Sequence, residues 1–500
     1  MTRKILKSFG WNKNFILLTM IGAGSLLVEG YHPGVEDDAV YLSAIQQRLH
    51  PGLYPHDFAL FTRQMQASVF DKLMAAWVRS THIPVSVSEM AGQCLAAFFL
   101  LWGCWALARR CFSTPAGQWA GVALVGVLFT LPVAGTALYI FDQYLHPRAI
   151  ATALILRAIL LVLDRRTVFA CVALAAAVLV HPIMGVFGVS YCVMLWIAGV
   201  GSMRPAGQPR GEPSPAATVA MGIAPLWIFE GPSMAWRQAL DTRDYYFIAR
   251  WTWYEWLGAI APIFILWAMA RWARRAERPT IATLAGSATV FAAFQLAAAC
   301  VVLLTPGLIR LTPMQPMRYL HLVYIFMAVL GGGLIGEKLL RGHVWRWVAL
   351  FLPLALGMFV AQRRLFAGTE HIELPGVASH NPWLRAFAWV RENTPEDAYF
   401  ALDPYYMQLP GEDYHSFRAL AERSELADAV KDAAVATQVP DLAPLWERQT
   451  QAAAGWQHFQ KQDFLRLRQE FGVNWIVVQG GGVEGLVCPY KNEAVAVCKL

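Results

Sequence analysis

The sequence predicts a polytopic α-helical membrane protein of about eleven transmembrane helices, followed by a C-terminal α/β domain outside the bilayer. Three observations carry that expectation. The 500 residues are 57% hydrophobic and only 15% charged, against about 25% charged in an average soluble domain. The mean hydropathy is +0.40. Apolar runs of spanning length, about 17–25 residues, recur as far as residue 361 and then stop. This composition excludes disorder, a coiled coil and a small disulfide scaffold, and it argues against a soluble enzyme.

The chain opens Met1-Thr2-Arg3-Lys4-Ile5-Leu6-Lys7 and is apolar from Phe15 to Val28. A basic start before an apolar run is also the pattern of a signal peptide. Here Glu29, Gly30, Tyr31 and His32 follow instead of a small-residue cleavage site, so the segment reads as a retained first helix that starts in the cytoplasm. Further spans are expected near 90–108, 118–138, 148–163, 168–181, 183–200, 216–231, 256–271, 281–304, 317–336 and 344–361. Basic clusters alternate with acidic loops between them. The basic ones are Arg109-Arg110, Arg165-Arg166, Arg204 with Arg210, Arg271 through Arg278, and Lys338 with Arg341 and Arg346. The acidic ones hold Glu36-Asp37-Asp38, Asp142, Glu230, Asp241, Asp244 and Glu255. Basic loops stay in the cytoplasm. The expected division is a transmembrane domain over 1–361, with a large first external loop over 31–89, and an external domain over 362–500. In a bacterium that means a multi-pass inner-membrane protein with a cytoplasmic N-terminus and a periplasmic C-terminal domain. The net charge of +7 then belongs to short cytoplasmic loops. No zinc-finger spacing, Walker loop or RNA-binding motif points to nucleic acid.

In the C-terminal domain, Asn381-Pro382 caps a helix running to Glu392. A strand is expected at 399–402, helices at 416–435 and 455–471, a strand at 473–478, and a hairpin of 487–491 with 494–498. Cys488 and Cys498 flank the hairpin turn on an oxidising side, so they are either disulfide-bonded or two reduced core thiols. The other six of the eight cysteines lie in or beside apolar runs and read as small packing residues.

The stretch richest in chemistry is Tyr31-His32-Pro33-Gly34-Val35-Glu36-Asp37-Asp38-Ala39-Val40-Tyr41. Three successive carboxylates just past a membrane helix repel one another. One is therefore raised in pKa, or a cation is held, or the acids cap the helix that begins near Ala39. The loop continues through His50, Tyr54, His56, Asp57 and Phe58 to Gln64 and Gln66, too polar and aromatic for a flexible linker. Cations stand at the mouths of spans: His146 and Arg148, His181, and Arg318 with His321, with Arg310 a weaker case. Each has a plain alternative, a snorkelling arginine or a histidine capping a helix. Arg157 falls inside a span and is costly there unless paired. The loop 243–256 is dense in Trp and Tyr. It is either an interfacial belt or a platform for a sugar or lipid chain, with Asp244 or Arg250 as its polar handle. The polar-aromatic stretch from Asp403 to Arg423 reads as domain surface or an acceptor-facing edge.

Taken together, several features resemble the GT-C superfamily of integral-membrane glycosyltransferases, which use polyprenyl-phosphate-linked sugars. They are a first membrane helix, an acidic pair at the head of a long external loop, amphipathic helices in that loop, many spans and an external α/β domain. The phrase Trp389-Val390-Arg391-Glu392-Asn393-Thr394-Pro395-Glu396-Asp397-Ala398 is similar to the start of the soluble domain in bacterial members. The segments 36–41, 54–58 and 414–424 look closest to a poorly characterised bacterial branch. The resemblance implies a transferase moving a sugar from a polyprenyl-phosphate donor to an envelope lipid, glycan or protein acceptor at the external face. It places the catalytic acid among Glu36, Asp37 and Asp38, with Asp37 and Asp38 favoured as general base or as ligands of a divalent Mg or Mn ion. It makes Arg318, Arg148, His146, His181 and His321 candidates for binding the donor, and His56, Asp57 and Asp244 further substrate contacts. Two other readings stay open. A transporter or flippase of a lipid-linked substrate would carry mid-span charges and repeat symmetry. A non-catalytic scaffold would function with residues 36–38 neutralised.

Overall fold

A computed structural model describes residues 2–201 and 232–500. The expected span 216–231 and the charges of Arg204, Arg210 and Glu230 lie outside the described residues. The chain runs through α1 (Thr2–Glu29), α2 (Asp38–Leu49), α3 (Ala59–Met65), α4 (Phe70–Thr81), α5 (Val85–Cys111), α6 (Pro115–Val127), α7 (Pro147–Leu163), α8 (Thr167–Val180) and α9 (Pro182–Gly201). Long helices follow at Trp253–Arg275, Pro279–Leu304, Leu320–Ile335 and Val344–Leu365. Among the described residues, six helices are long and apolar enough to cross a membrane: Val85–Cys111, Pro182–Gly199, Trp253–Arg275, Pro279–Leu304, Pro316–Leu340 and Val344–Leu365.

Local chemistry sets the helix starts. Proline stands in the first turn of α6 and α7, where its missing N–H costs nothing. The Thr114 side chain caps α6, and the His146 ring caps α7. Thr252 and Glu255 form a capping box at the head of Trp253–Arg275. The expected span 118–138 is corrected: its helix ends at Val127. Pro132 disfavours helix at Leu131, and Ala134 and Ala137 take left-handed backbone with φ of 48° and 52°. The apolar character of that segment reflects burial in protein, not lipid. The helix over 316–340 is central, with 78% of its apolar window buried, whereas none of the 344–365 window is. Gly332 and Gly336 let that central helix approach the α6 backbone. A Cβ on Gly332 would lie 2.8 Å from the Ala120 carbonyl oxygen. At the end away from the acidic loop, ion pairs Arg110–Asp164 (2.6 Å) and Arg278–Glu337 (3.0 Å) tie helices together. Arg157 is exposed on α7.

The C-terminal domain is a five-stranded sheet of order β2-β1-β3-β5-β4, built from β1 (Tyr399–Ala401), β2 (Ser424–Glu425), β3 (Trp475–Gln479), β4 (Val487–Lys491) and β5 (Val495–Lys499). β1 is parallel to both β2 and β3; β3–β5 and β5–β4 are antiparallel. Alternation along β3 splits its side chains between two cores. Trp475 and Val477 pack with Trp383, Phe387 and Val390 of the helix Pro382–Asn393; Ile476 and Val478 pack with Phe464 and Leu467 of Lys461–Phe471. Pro489 sits in β4, an edge strand, where a missing donor is tolerated. Cys488 and Cys498 are disulfide-bonded. The expected helix 416–435 is two helices, Phe417–Ala421 and Asp432–Gln438. Glu422 takes φ 52°, and β2 then pairs with β1. The expected helix 455–471 begins only at Lys461, and Ala443–Ala452 is an additional helix.

The domain is docked directly on the first loop. Tyr31 N donates to His371 O (3.0 Å), Glu373 N to Tyr31 O (2.9 Å), and Ser416 N to Gly34 O (2.9 Å). Half-buried Glu373 accepts from His32 Nδ1 (2.7 Å) and His415 Nε2 (3.0 Å), one ring from each side of the junction. Arg418, whose side chain is 2% exposed, reaches Asp57 of the loop at 2.6 Å and grips Asp432 with both terminal nitrogens.

Candidate functional site

The three acids of the first loop have three different tasks, and the backbone decides which. Gly34 takes φ +79°, and a Cβ there would sit 2.8 Å from Leu420. Its N–H donates to Asp38 Oδ2 at 2.7 Å, closing the turn. Asp38 is thereby spent inside the protein at 1% exposure. Burial, reinforced by the neighbouring Asp37 charge, pushes its acid up to about 7. Glu36 is held in left-handed backbone, φ 53°, by its N–H bond to Tyr414 O at 3.1 Å. Asp37 is the residue preceding α2, yet its side chain makes no cap hydrogen bond. Its backbone N–H donates to Tyr144 Oη at 3.2 Å.

The freed Asp37 carboxylate lines a cavity of about 310 Å³ together with Tyr41, His181, Tyr245, Arg318 and Lys431. That volume is at the lower end of small-molecule sites, roughly 300–1,000 Å³. Lys431 Nζ is 3.3 Å from Asp37 Oδ1 and also pairs with Glu36. His146 Nε2 is 3.6 Å from Asp37 Oδ2, an electrostatic contact rather than a hydrogen bond. Burial raises the Asp37 acid, but Lys431, His146 and Arg318 outweigh it and hold the carboxyl well below the usual range. Burial works against the Lys431 ammonium, and Glu36 with Asp37 overcomes that and keeps it charged. Burial and the Arg148 guanidinium lower His146, so its ring is neutral at pH 7. Its Nδ1 accepts from Arg148 N at 2.9 Å, which assigns the proton to Nε2, facing Asp37. His181, stacked on His146 at 5.7 Å, is lowered by burial first and then by the positive field of Arg318. Arg318 Nε is buried without a hydrogen-bond partner among the described residues. The nearby carboxylates are already engaged, Asp37 by Lys431 and His146 and Glu36 by Lys431.

The structure therefore brings Asp37, Glu36, His146, His181 and Arg318 to one place. Other candidates lie elsewhere. Arg148 is buried behind the cavity, paired with Asp142. His321 is buried, donating from Nε2 to Ile140 O at 2.9 Å. His56 stacks on Tyr399 at 4.5 Å and Asp57 binds Arg418, so both fasten the loop to the C-terminal domain. Asp244 is 82% exposed and paired with Arg250. The aromatic loop divides: Tyr245 and Tyr246 line the cavity, while Trp253 and Tyr254 are exposed at 77% and 59%. A divalent ion does not fit these residues. Asp38 faces Gly34, both histidines accept on Nδ1 and present N–H to the cavity side, and Lys431 already bridges Glu36 and Asp37. Among the described residues no three His, Cys, Asp or Glu side chains are grouped to hold a metal.

Sequence reasoning missed Lys431 and Tyr144. Lys431 lies 395 residues from Glu36, within Asp428-Ala429-Val430-Lys431-Asp432, where a lone lysine in a helix-like pattern reads as solvated surface. Only the docking of the C-terminal domain reveals it.

Comparison with known proteins adds one family match: residues 381–438 fit a domain of unknown function, DUF6798. That segment contains Arg418 and Lys431. No curated protein matches the chain. Among solved structures, the archaeal oligosaccharyltransferase AglB from Archaeoglobus fulgidus, in complex with an inhibitory peptide and a dolichol-phosphate, is 11% identical with a TM-score of 0.49, over 94% of this chain and 70% of that one. The Archaeoglobus fulgidus oligosaccharyltransferase tethered to an acceptor peptide gives a TM-score of 0.47 at 11% identity, over 94% and 70%. Its complex with Zn and sulfate gives 0.46 at 11%, over 93% and 67%. Likenesses of this extent carry no argument about function.

Proposed function

We propose that this protein is a membrane glycosyltransferase of the GT-C type. It transfers a sugar from a polyprenyl-phosphate-linked donor to an envelope lipid, glycan or protein acceptor at the external membrane face. One observation carries the reading: a carboxylate held ionised, Asp37, and an arginine whose Nε has no partner among the described residues, Arg318, line one small cavity at the membrane end of the C-terminal domain. The sequence resemblance to that superfamily, resting on the acidic pair and the domain arrangement, supports it independently. The basic ends Arg109-Arg110 and Arg278 lie away from this cavity, in keeping with a cytoplasmic far end and a periplasmic C-terminal domain. The Cys488–Cys498 disulfide fits an oxidising side.

The chemistry follows from the charges. The bond between the donor's anomeric carbon and its phosphate oxygen breaks, and the electron pair leaves with the lipid phosphate. Arg318, with the N–H groups of His146 and His181 beside it, offers donors to that developing charge. The acceptor's nucleophilic atom bonds to the anomeric carbon and loses its proton to Asp37. A carboxylate with a depressed pKa is a weak base toward a resting hydroxyl. It remains ionised, so it can orient the hydroxyl, stabilise the oxocarbenium-like carbon, and take the proton as attack acidifies it. Lys431 and His146 keep it in that state. The transporter and scaffold readings leave the open arginine without a task.

The test is mass spectrometry of envelope glycolipids and glycans in a deletion strain. Loss of one sugar, restored by the wild-type chain, is the expected result. An unchanged envelope would remove the transferase reading.

A further inference from the structure

The acidic loop carries oxygen atoms of the kind that bind hard cations, yet its geometry rejects one. A divalent ion of this class takes six or more oxygen ligands at about 2.0–2.6 Å. Asp38 Oδ2 is occupied by the Gly34 N–H, and its Oδ1 is buried without a partner. His146 and His181 both accept backbone N–H bonds on Nδ1, from Arg148 (2.9 Å) and Met184 (3.3 Å). Their remaining nitrogens therefore carry protons and repel a cation. That leaves Glu36 and Asp37, which share one positive group, the Lys431 ammonium. Its side chain is only 9% exposed, while the Glu36 and Asp37 carboxylates stay open at 41% and 40%. Its backbone is fixed as well. Asp428 Oδ1 accepts from Val430 N (2.6 Å) and from Lys431 N, and Trp446 Nε1 donates to Asp428 O (2.9 Å). With Arg318 close by, two fixed cations already balance two anions.

We propose that Lys431 is the site's resident cation: an ammonium supplied by the C-terminal domain bridges Glu36 and Asp37 in place of a divalent ion, so the site is complete without metal only when that domain is docked. Lys431 is a positioning residue, acting through Asp37. The catalytic part of this inference rests on the transferase reading. The metal-binding part does not.

The test is Mn²⁺ alone, titrated into the purified full-length protein and followed by electron paramagnetic resonance. The wild type and Lys431→Arg bind no Mn²⁺ saturably below about 1 mM, the weak end of protein sites of this kind. Lys431→Ala gains one saturable site, and Glu36→Gln added to it removes that site. A wild-type protein that binds one Mn²⁺ and loses it on Glu36→Gln overturns the proposal, whether or not Lys431→Ala folds. So does a Lys431→Ala protein that melts within a few degrees of wild type and gains nothing. A chelator leaves wild-type sugar transfer unchanged; its loss in EDTA, regained with Mn²⁺, is contrary. Absence of any transfer activity removes the transferase reading while the Mn²⁺ titration still decides the role of Lys431.

Discussion

Replacing Arg418 by Met should loosen the junction between the first loop and the C-terminal domain more than any other single change. The guanidinium meets Asp57 at 2.6 Å, Asp432 at 3.0 and 3.2 Å, and Glu425 at 3.7 Å, with Phe61 against its face. Methionine roughly preserves the apolar stem and removes every one of these bonds. The acids stay buried, and burial already raises Asp57 and Glu425 despite the arginine. Removing one partner of a buried ion pair costs about 3–5 kcal/mol. At about 2–4 °C per kcal/mol for a unit of 150–250 residues, the melting point should fall by about 6–20 °C. Arg418→Lys keeps the charge but loses the fork and should fall between. The assay is thermal unfolding of the full-length protein in detergent, read by proteolysis of the C-terminal domain. Proton uptake by the stranded acids favours the folded variant at low pH, so the deficit should narrow from pH 7.5 to pH 5. A shift under about 2 °C at pH 7.5, or a deficit that does not narrow, would refute the argument that this buried network holds the two parts together.

Further outcomes follow from the same geometry. Arg318→Gln removes an open charged donor worth about 1.5–3 kcal/mol, so donor affinity or turnover should drop roughly 10- to 150-fold while the melting point stays near wild type; unchanged donor dependence would remove Arg318 from phosphate binding. Asp38 and Asp428 have acids raised to about 7, chiefly by burial. Each contributes stability that is complete below about pH 4 and lost as pH rises to about 7, at most about 1.4 kcal/mol per pH unit each. Asp38→Asn with Asp428→Asn should flatten that decline, and an unaltered pH profile of unfolding would contradict it. Denatured, unreduced protein should take up six maleimides and reduced protein eight, from the six free thiols and the eight cysteines; eight before reduction would refute the Cys488–Cys498 bridge.

Much of the fold was legible because lipid and hydrogen bonding impose simple rules. Ten of the expected apolar segments fall within the described residues, and each is helical, one of them only to Val127. Hydropathy cannot separate a lipid-facing run from one buried in protein, which is why 118–138 read as a span although its helix stops at Val127. In the C-terminal domain the hairpin and β3 followed from local alternation. The break at Glu422 did not, because β2 exists only through pairing with β1. Within the site, the sequence pointed to the acidic triplet but not to the division of labour within it. That division depends on Gly34, whose left-handed backbone turns one acid inward. Arg148 and Arg318 both looked like cations at the mouth of a span. Asp142, on the chain just before α7, pairs with the first, whereas the second lines the Asp37 cavity. Lys431 was invisible because its partners are on the far end of the chain.

The central claim, that Asp37 acts on the substrate while Asp38 holds the turn, is tested most directly by complementing the deletion strain with each Asn variant and measuring the envelope sugar by mass spectrometry. Asp37→Asn should reach the membrane at normal levels and restore less than about 1% of the sugar, a loss on the scale of about 10²–10⁴ for a positioned acid or base. Asp38→Asn, whose amide oxygen can still accept from Gly34, should restore most of it. Full rescue by Asp37→Asn would contradict the account, and rescue by both variants would return the three carboxylates to the role of a helix cap.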